Sequence, residues 1–204
     1  MYTDAGVLEM MATGEVAIRA LPDRVAVVSP DRPGTFSKVA GVLALSGLDV
    51  LGAEAHSNEQ GMAASEFRVI SPLGEIDWSP IVENLERALS GRLALESRLA
   101  DRAASARPRR ATSALAPAAP TVRFDDSASS NATFLEVRAP DMLGVLHRIT
   151  KAIADLGLDI RHARVLTLGN EVVDSFYVRE SGGGRITDES YKNEISRAIL
   201  HVLV

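Results

Sequence analysis

The chain repeats one of its own segments 110 positions later. Residues 30–53 align with residues 140–163, and eight of these 24 aligned positions are identical. Other pairs exchange one apolar residue for another, as Val39 does for Ile149 and Leu43 for Ile153. A repeat of this length indicates a duplicated supersecondary unit. We therefore expect two similar domains.

Both copies keep glycines at two positions with a mechanical role. Gly34 and Gly144 lie where a predicted strand turns into a predicted helix. Gly47 and Gly157 follow the last apolar helical position, where a left-handed glycine commonly ends a helix. Each copy is therefore predicted to run strand, tight turn, helix, cap and strand.

A hairpin and a second helix are predicted to follow in each copy, from apolar alternation and from apolar residues at helical spacing. We place Ser79 at the start of the second helix of the first copy and a last edge strand at Leu93–Leu95. The second copy has no room for a strand after its last helix, while Val122–Phe124 is a candidate extra strand. The predicted fold class is α+β: two ferredoxin-like βαββαβ units, the second lacking its last strand, with helices on one face of antiparallel sheets.

The chain divides into four predicted segments. They are an N-terminal extension at 1–23, a first unit at 24–97, a linker at 98–121 and a second unit at 122–204. The linker is rich in alanine, proline and arginine, a composition that buries too little apolar surface to order itself. We interpret its arginine cluster at 107–110 as part of a solvated spacer; attraction of an acidic partner is the alternative.

The composition excludes several classes of protein. There are 204 residues without cysteine, so disulfides and thiolate metal sites are excluded. A net charge of −5 argues against a general nucleic-acid binder. No apolar run approaches the roughly 18 to 20 residues of a membrane span, and the first residues lack the layout of a signal peptide. We expect a cytoplasmic protein that binds neither nucleic acid nor membrane.

The turn sequence Asp31-Arg32-Pro33-Gly34, with Gly-Leu-Asp before the second strand, resembles an ACT domain, a small-ligand sensor module. The second half makes the resemblance more specific. The segments that carry it are 122–125, 143–150, 156–163 and 167–178. Together these are similar to the tandem ACT region at the C-terminus of bifunctional PII uridylyltransferase/uridylyl-removing enzymes. The resemblance covers the chain from about Arg24 to its end.

This resemblance implies a regulatory amino-acid sensor, with glutamine as the ligand. Its site would lie between the units, where the turn of one faces the second strand of the other. The expected ligand-binding residues are Asp31, Arg32, Pro33, Gly34, Thr35, Val50, Asp141, Met142, Leu143, Gly144, Val145 and Ile160. The nucleotidyltransferase and hydrolytic domains of the family do not fit in this chain. We therefore expect no catalytic centre here, and partners in those catalytic domains and, indirectly, the PII protein.

Elementary chemistry supports an amino-acid site at these turns. The start of a helix offers unpaired backbone N–H groups and a partial positive charge to a carboxylate. Asp31 and Asp141 can neutralise an ammonium group. The alternative is that both aspartates are only turn or capping residues, where aspartate is favoured on physical grounds.

The two copies differ in ways that put equal ligand affinity in doubt. Arg32-Pro33 of the first turn is Met142-Leu143 in the second. Only the second hairpin carries Thr167 and Asp174, which we expect to form a hydrogen bond across that hairpin. One unit is then a candidate for a purely structural role.

Two further hypotheses concern assembly and metals. A ligand-independent assembly module, dimerising through exposed strand edges, is the alternative function, so a homodimer is possible. His147 and His162 lie on separate predicted elements without a carboxylate or cysteine cluster at ligand spacing. We expect no metal and no cofactor.

Overall fold

The computed structural model describes residues 5–105 and 118–204. In chain order the elements are α1 (Ala5–Ala12), β1 (Ala17–Leu21), β2 (Arg24–Pro30), α2 (Thr35–Leu45), β3 (Asp49–Ser57), β4 (Met62–Ile70), α3 (Trp78–Leu89), α4 (Leu95–Ser105), β5 (Thr121–Asp125), β6 (Thr133–Pro140), α5 (Val145–Asp155), β7 (Leu158–Leu168), β8 (Glu171–Glu180) and α6 (Glu189–His201). None of the described helices is long and apolar enough to cross a membrane.

The eight strands form one continuous antiparallel sheet in the order β1-β2-β4-β3-β7-β8-β6-β5. Each repeat supplies four neighbouring strands, and the two halves join where β3 pairs with β7. That junction has only three registered residue pairs, Gly52 with Arg164, Ala53 with Ala163 and Glu54 with His162. The duplicated units therefore share a sheet across a short seam.

Successive side chains along each strand point to opposite faces of the sheet, and each face has its own apolar cluster. In β2, Val25 and Val27 belong to the main core beneath the helices, to which α2 to α6 all contribute buried residues. Val28, on the opposite face, packs in a smaller cluster with Val7 and Met11 of α1. The predicted α+β class, with helices over one face of an antiparallel sheet, is confirmed, and α1 adds a short cover on the other face of the first half.

The edge strand of each unit precedes the unit instead of following it. β1 pairs with β2, and β5 pairs with β6, both antiparallel. The predicted strand at Leu93–Leu95 is wrong, because α4 begins at Leu95 and buries Leu95 and Leu99 on one side. The edge position beside β2 is already occupied by β1, so no place remains there for a later strand. The strand at Val122–Phe124 and the absence of a strand after α6 were predicted correctly.

The structure also places helices and a strand in the segments outside the two predicted units. The segment predicted as an N-terminal extension, 1–23, contains α1 and β1, and α4 continues to Ser105 within the predicted linker 98–121. The linker's arginine cluster at 107–110 lies outside the described residues. Helix α3 begins at Trp78 instead of after Ser79, because the Asp77 side chain accepts the Ser79 N–H and acts as the N-cap.

Candidate functional site

A cavity of about 240 Å³ lies between the two halves. The first half contributes the turn at 31–34, the first turn of α2 and the β3–β4 hairpin. The second half contributes the C-terminal part of α5 and the start of β7. Its volume lies somewhat below the roughly 300–1,000 Å³ typical of drug-sized ligands, which suits a smaller molecule.

The turn into α2 shapes one wall of this cavity. Gly34 has a φ of 88°, a left-handed conformation that favours glycine, and no side chain caps the helix. The Ser37 hydroxyl donates to the Gly34 carbonyl oxygen at 2.9 Å, so it does not satisfy the first N–H groups of the helix. The start of α2 thus presents backbone donors and a partial positive charge beside the cavity.

Two carboxylates from opposite halves also line the cavity. Asp31 belongs to the turn before α2, and Asp159 to the start of β7. The Arg161 guanidinium donates to Asp159 Oδ2 at 3.0 Å and to Ser57 Oγ, across the seam, at 3.2 Å. Arg32 brings a guanidinium to the lining itself. With Arg32 in the lining and Arg161 bound to Asp159, the two acidic side chains are matched by two basic ones, which suits a ligand that carries both charges.

Small side chains on the β3–β4 hairpin keep the floor of the cavity open. These are Ala55, Ser57, Ala63 and Ser65. The strand registers identify their counterparts in the second half, because Ser65 pairs with Val27 as Asp174 pairs with Val137. The counterparts are Val165, Thr167, Val172 and Asp174. All four are larger than the residues they correspond to, so the second half has less room at the same place.

The second turn is covered where the first is open. A Cβ on Gly144 would meet Leu99 of α4 at 3.6 Å, and one on Gly47 would meet Arg102 of the same helix at 2.8 Å. Gly157, the counterpart of Gly47, has nothing within 4 Å. Helix α4 therefore lies over the second copy of the site, and the pseudosymmetry of the repeat is broken there.

The structure brings together half of the predicted site residues. Asp31, Arg32, Pro33, Gly34, Thr35 and Ile160 line the cavity between the halves. Leu143 and Gly144 line a separate cavity beside α4. The remaining four, Val50, Asp141, Met142 and Val145, line neither cavity. The expected arrangement, a turn facing the second strand of the other unit, is thus present in one direction only.

Several residues of the cavity were missed from the sequence. Ser57 and Ser65 carry no signal of their own, because a strand serine is common and only pairing register places it. Asp159 belongs to the Gly-Leu-Asp motif present in both copies, so the sequence contained a signal that could have identified it. Arg161, which binds Asp159 beside the cavity, occupies a β-bulge that the sequence does not reveal.

Asp174 lies on β8, and its side chain is fully buried in the second half. Among the described residues neither carboxylate oxygen has a hydrogen-bond partner. Burial, with a smaller contribution from the charge of Asp141, raises the pKa of Asp174 to about 7. The predicted hydrogen bond to Thr167 is wrong, because neither carboxylate oxygen of Asp174 has a partner in the residues that the structure describes; Thr167 pairs with Val172, and Asp174 lies opposite Val165. The carboxyl group is therefore a buried, unpaired feature of the covered half.

The side chain of His147, on α5, forms a hydrogen bond with α2. Its Nδ1 lies 2.7 Å from the Ser37 carbonyl oxygen, which can only accept, so Nδ1 carries the proton. The Nε2 atom is buried without a partner in the described part of the chain. In residues 5–105 and 118–204 there is no group of three side chains that could hold a metal ion.

A family model matches part of this chain, and curated proteins match most of it. Residues 133–189 match the ACT domain family, so the second half contains an ACT domain. The chain is 36% identical over 177 residues to the bifunctional uridylyltransferase/uridylyl-removing enzyme of Gluconobacter oxydans, covering 82% of this chain and 18% of that protein. The enzyme of the same name from Rhodospirillum rubrum is 34% identical over 195 residues, covering 90% and 20%. The resemblance predicted from the sequence is confirmed.

The chain spans about one fifth of the length of these curated relatives. Among solved structures, the ligand-free regulatory subunit of aspartate kinase from Thermus thermophilus aligns over 93% of this chain and 97% of its own. The identity there is 15% and the TM-score is 0.25, a likeness too low to bear on function.

Proposed function

We propose that the cavity between the halves binds an amino acid, glutamine, and that the chain is the sensing part of a uridylyl-transferring and uridylyl-removing system acting on the PII protein. One observation carries this proposal: the cavity is walled by both halves of the repeat, at the turn where the sequence predicted a ligand. Catalysis would reside in parts of the system outside this chain, in the cytoplasm.

The lining chemistry fits the two charged ends of an amino acid. The uncapped start of α2 is suited to the ligand carboxylate. Asp31 and Asp159 are suited to its ammonium group. Because the cavity belongs to both halves, a ligand that fits one relative arrangement better than another shifts the population between arrangements. This differential affinity is how binding would be transmitted to a catalytic partner.

Calorimetric titration of the folded chain with glutamine, with glutamate as the control ligand, tests the proposal. We expect saturable heat with glutamine and one site per chain, because the second copy of the site lies under α4. Absence of heat from a folded chain would contradict the proposal and favour the ligand-independent assembly module.

A cavity-filling variant locates the site. Exchanging Ala55 and Ala63 for valine gives the floor of the cavity the same residues that the second copy carries at these positions. Valine is favoured in strands, so the exchange should not strain the backbone. We expect Ala55→Val/Ala63→Val to abolish glutamine binding and to remain folded. Ala20→Val, the same exchange on the edge strand β1, is the control and should bind as the wild type does. Unchanged binding by the double variant would exclude this cavity.

A further inference from the structure

Both copies of the repeat carry a β-bulge at the same place, but with different side chains. The register of β3 shifts between Val50 and Gly52, and that of β7 between Ile160 and His162. The extra residues are Leu51 in the first copy and Arg161 in the second. A bulge redirects its side chain and is frequent beside functional sites. The shared backbone therefore delivers an apolar group in one copy and a guanidinium in the other.

Two acceptors that line the cavity hold this guanidinium at its rim. Arg161 Nη1 lies 3.0 Å from Asp159 Oδ2 and 3.2 Å from Ser57 Oγ. Asp159 is one of the two carboxylates that can receive a ligand ammonium, and Arg161 already neutralises it. An opposite charge at this distance weakens the attraction of the carboxylate for a second cation. Any ligand ammonium that binds Asp159 must compete with Arg161.

We propose that Arg161 is a tethered cation occupying an ammonium subsite at Asp159, and that the ammonium group of a bound amino acid competes with it there. This inference rests on the amino-acid site proposed above. Asp159 is then the residue that selects ligands with a free ammonium group, since an N-acylated ligand has no charge with which to displace Arg161, and Arg161 limits how tightly such ligands bind.

Competition at Asp159 also links ligand binding to the seam. The guanidinium bridges Asp159 of the second half to Ser57 of the first, beside a sheet junction of only three residue pairs. Release of Arg161 from Asp159 frees this bridge. Ligand binding thereby weakens one of the few polar links between the halves, which gives the two arrangements their different affinities.

The expected effects are opposite for the two members of the pair. Arg161→Leu introduces the residue found at the other bulge and removes the competitor. Because part-exposed ion pairs contribute little, the gain is about two- to five-fold tighter glutamine binding. Asp159→Asn removes the charge of the subsite and weakens binding about ten- to hundred-fold. In the Asp159→Asn background Arg161→Leu should give no further gain.

Isothermal titration with glutamine and with N-acetylglutamine tests these effects, with Leu51→Ala at the matching bulge as control. We expect the gain of Arg161→Leu with glutamine only, and none in Leu51→Ala. Equal or weaker glutamine binding by Arg161→Leu, or the same gain in the Asp159→Asn background, overturns the inference while leaving the amino-acid site standing. A folded wild-type chain that binds no glutamine overturns both.

Discussion

Asp174 gives a quantitative test of how the second half is built. Its carboxyl group is fully buried and unpaired among the described residues, and burial raises its pKa from 3.8 to about 7. Between these two pH values the unfolded chain has lost the proton and the native chain retains it, so native stability falls as pH rises. The full penalty, reached above about pH 7, is on the order of 4 kcal/mol.

Asp174→Asn keeps the shape of the side chain and carries no charge at any pH. We expect urea unfolding at pH 8 to show this variant more stable than the wild type by up to about 4 kcal/mol, with the difference shrinking towards zero near pH 4. Asp49→Asn, the same exchange at an exposed position on β3, should show no comparable pH-dependent difference. A variant no more stable than the wild type at pH 8 would refute the claim that this carboxyl group is buried without compensation.

Two further predictions concern packing and a buried hydrogen bond. A Cβ at Gly41 would lie 2.7 Å from Nδ1 of His147, so Gly41→Ala should destabilise the chain by about 1–3 kcal/mol in urea, whereas Gly182→Ala, with open space around it, should not. Thr133 Oγ1 accepts the Ile186 N–H at 2.8 Å in a fully buried position. Thr133→Val should therefore lower the free energy of unfolding by about 1–3 kcal/mol and lower the melting temperature with it. Thr133→Ser should retain most of the stability.

The repeat was enough to predict the strand, helix and hairpin at the centre of each half, but not the edge strand β1 or helix α4. Gly34 and Gly144 turn into α2 and α5 as expected, because the left-handed conformation leaves few alternatives to glycine. The hairpins and α6 also follow from local patterns. What the local patterns did not show was that one sheet runs through both units. Only three residue pairs make that junction, and no local propensity distinguishes them from an exposed edge.

The site was half predictable for a related reason. The repeat makes the two turns look equivalent, so Gly34 and Gly144 were nominated together. Their difference arises from α4, which places Leu99 over Gly144 but has no counterpart over Gly34. Leu95 and Leu99 do have helical spacing, but the helix was missed because Leu95 was assigned to an edge strand and the residues from 98 onwards to a linker. β1 was missed although Pro22 and Asp23 form a two-residue turn between two apolar strands.

The central claim is that one ligand binds between the halves, at the start of α2, and that the copy beneath α4 stays empty. A crystal structure of the chain grown with glutamine tests it most directly. The account predicts one glutamine per chain, with its carboxylate at the first turn of α2 and its ammonium group near Asp31 and Asp159. A glutamine bound at Gly144, or two per chain, would contradict it.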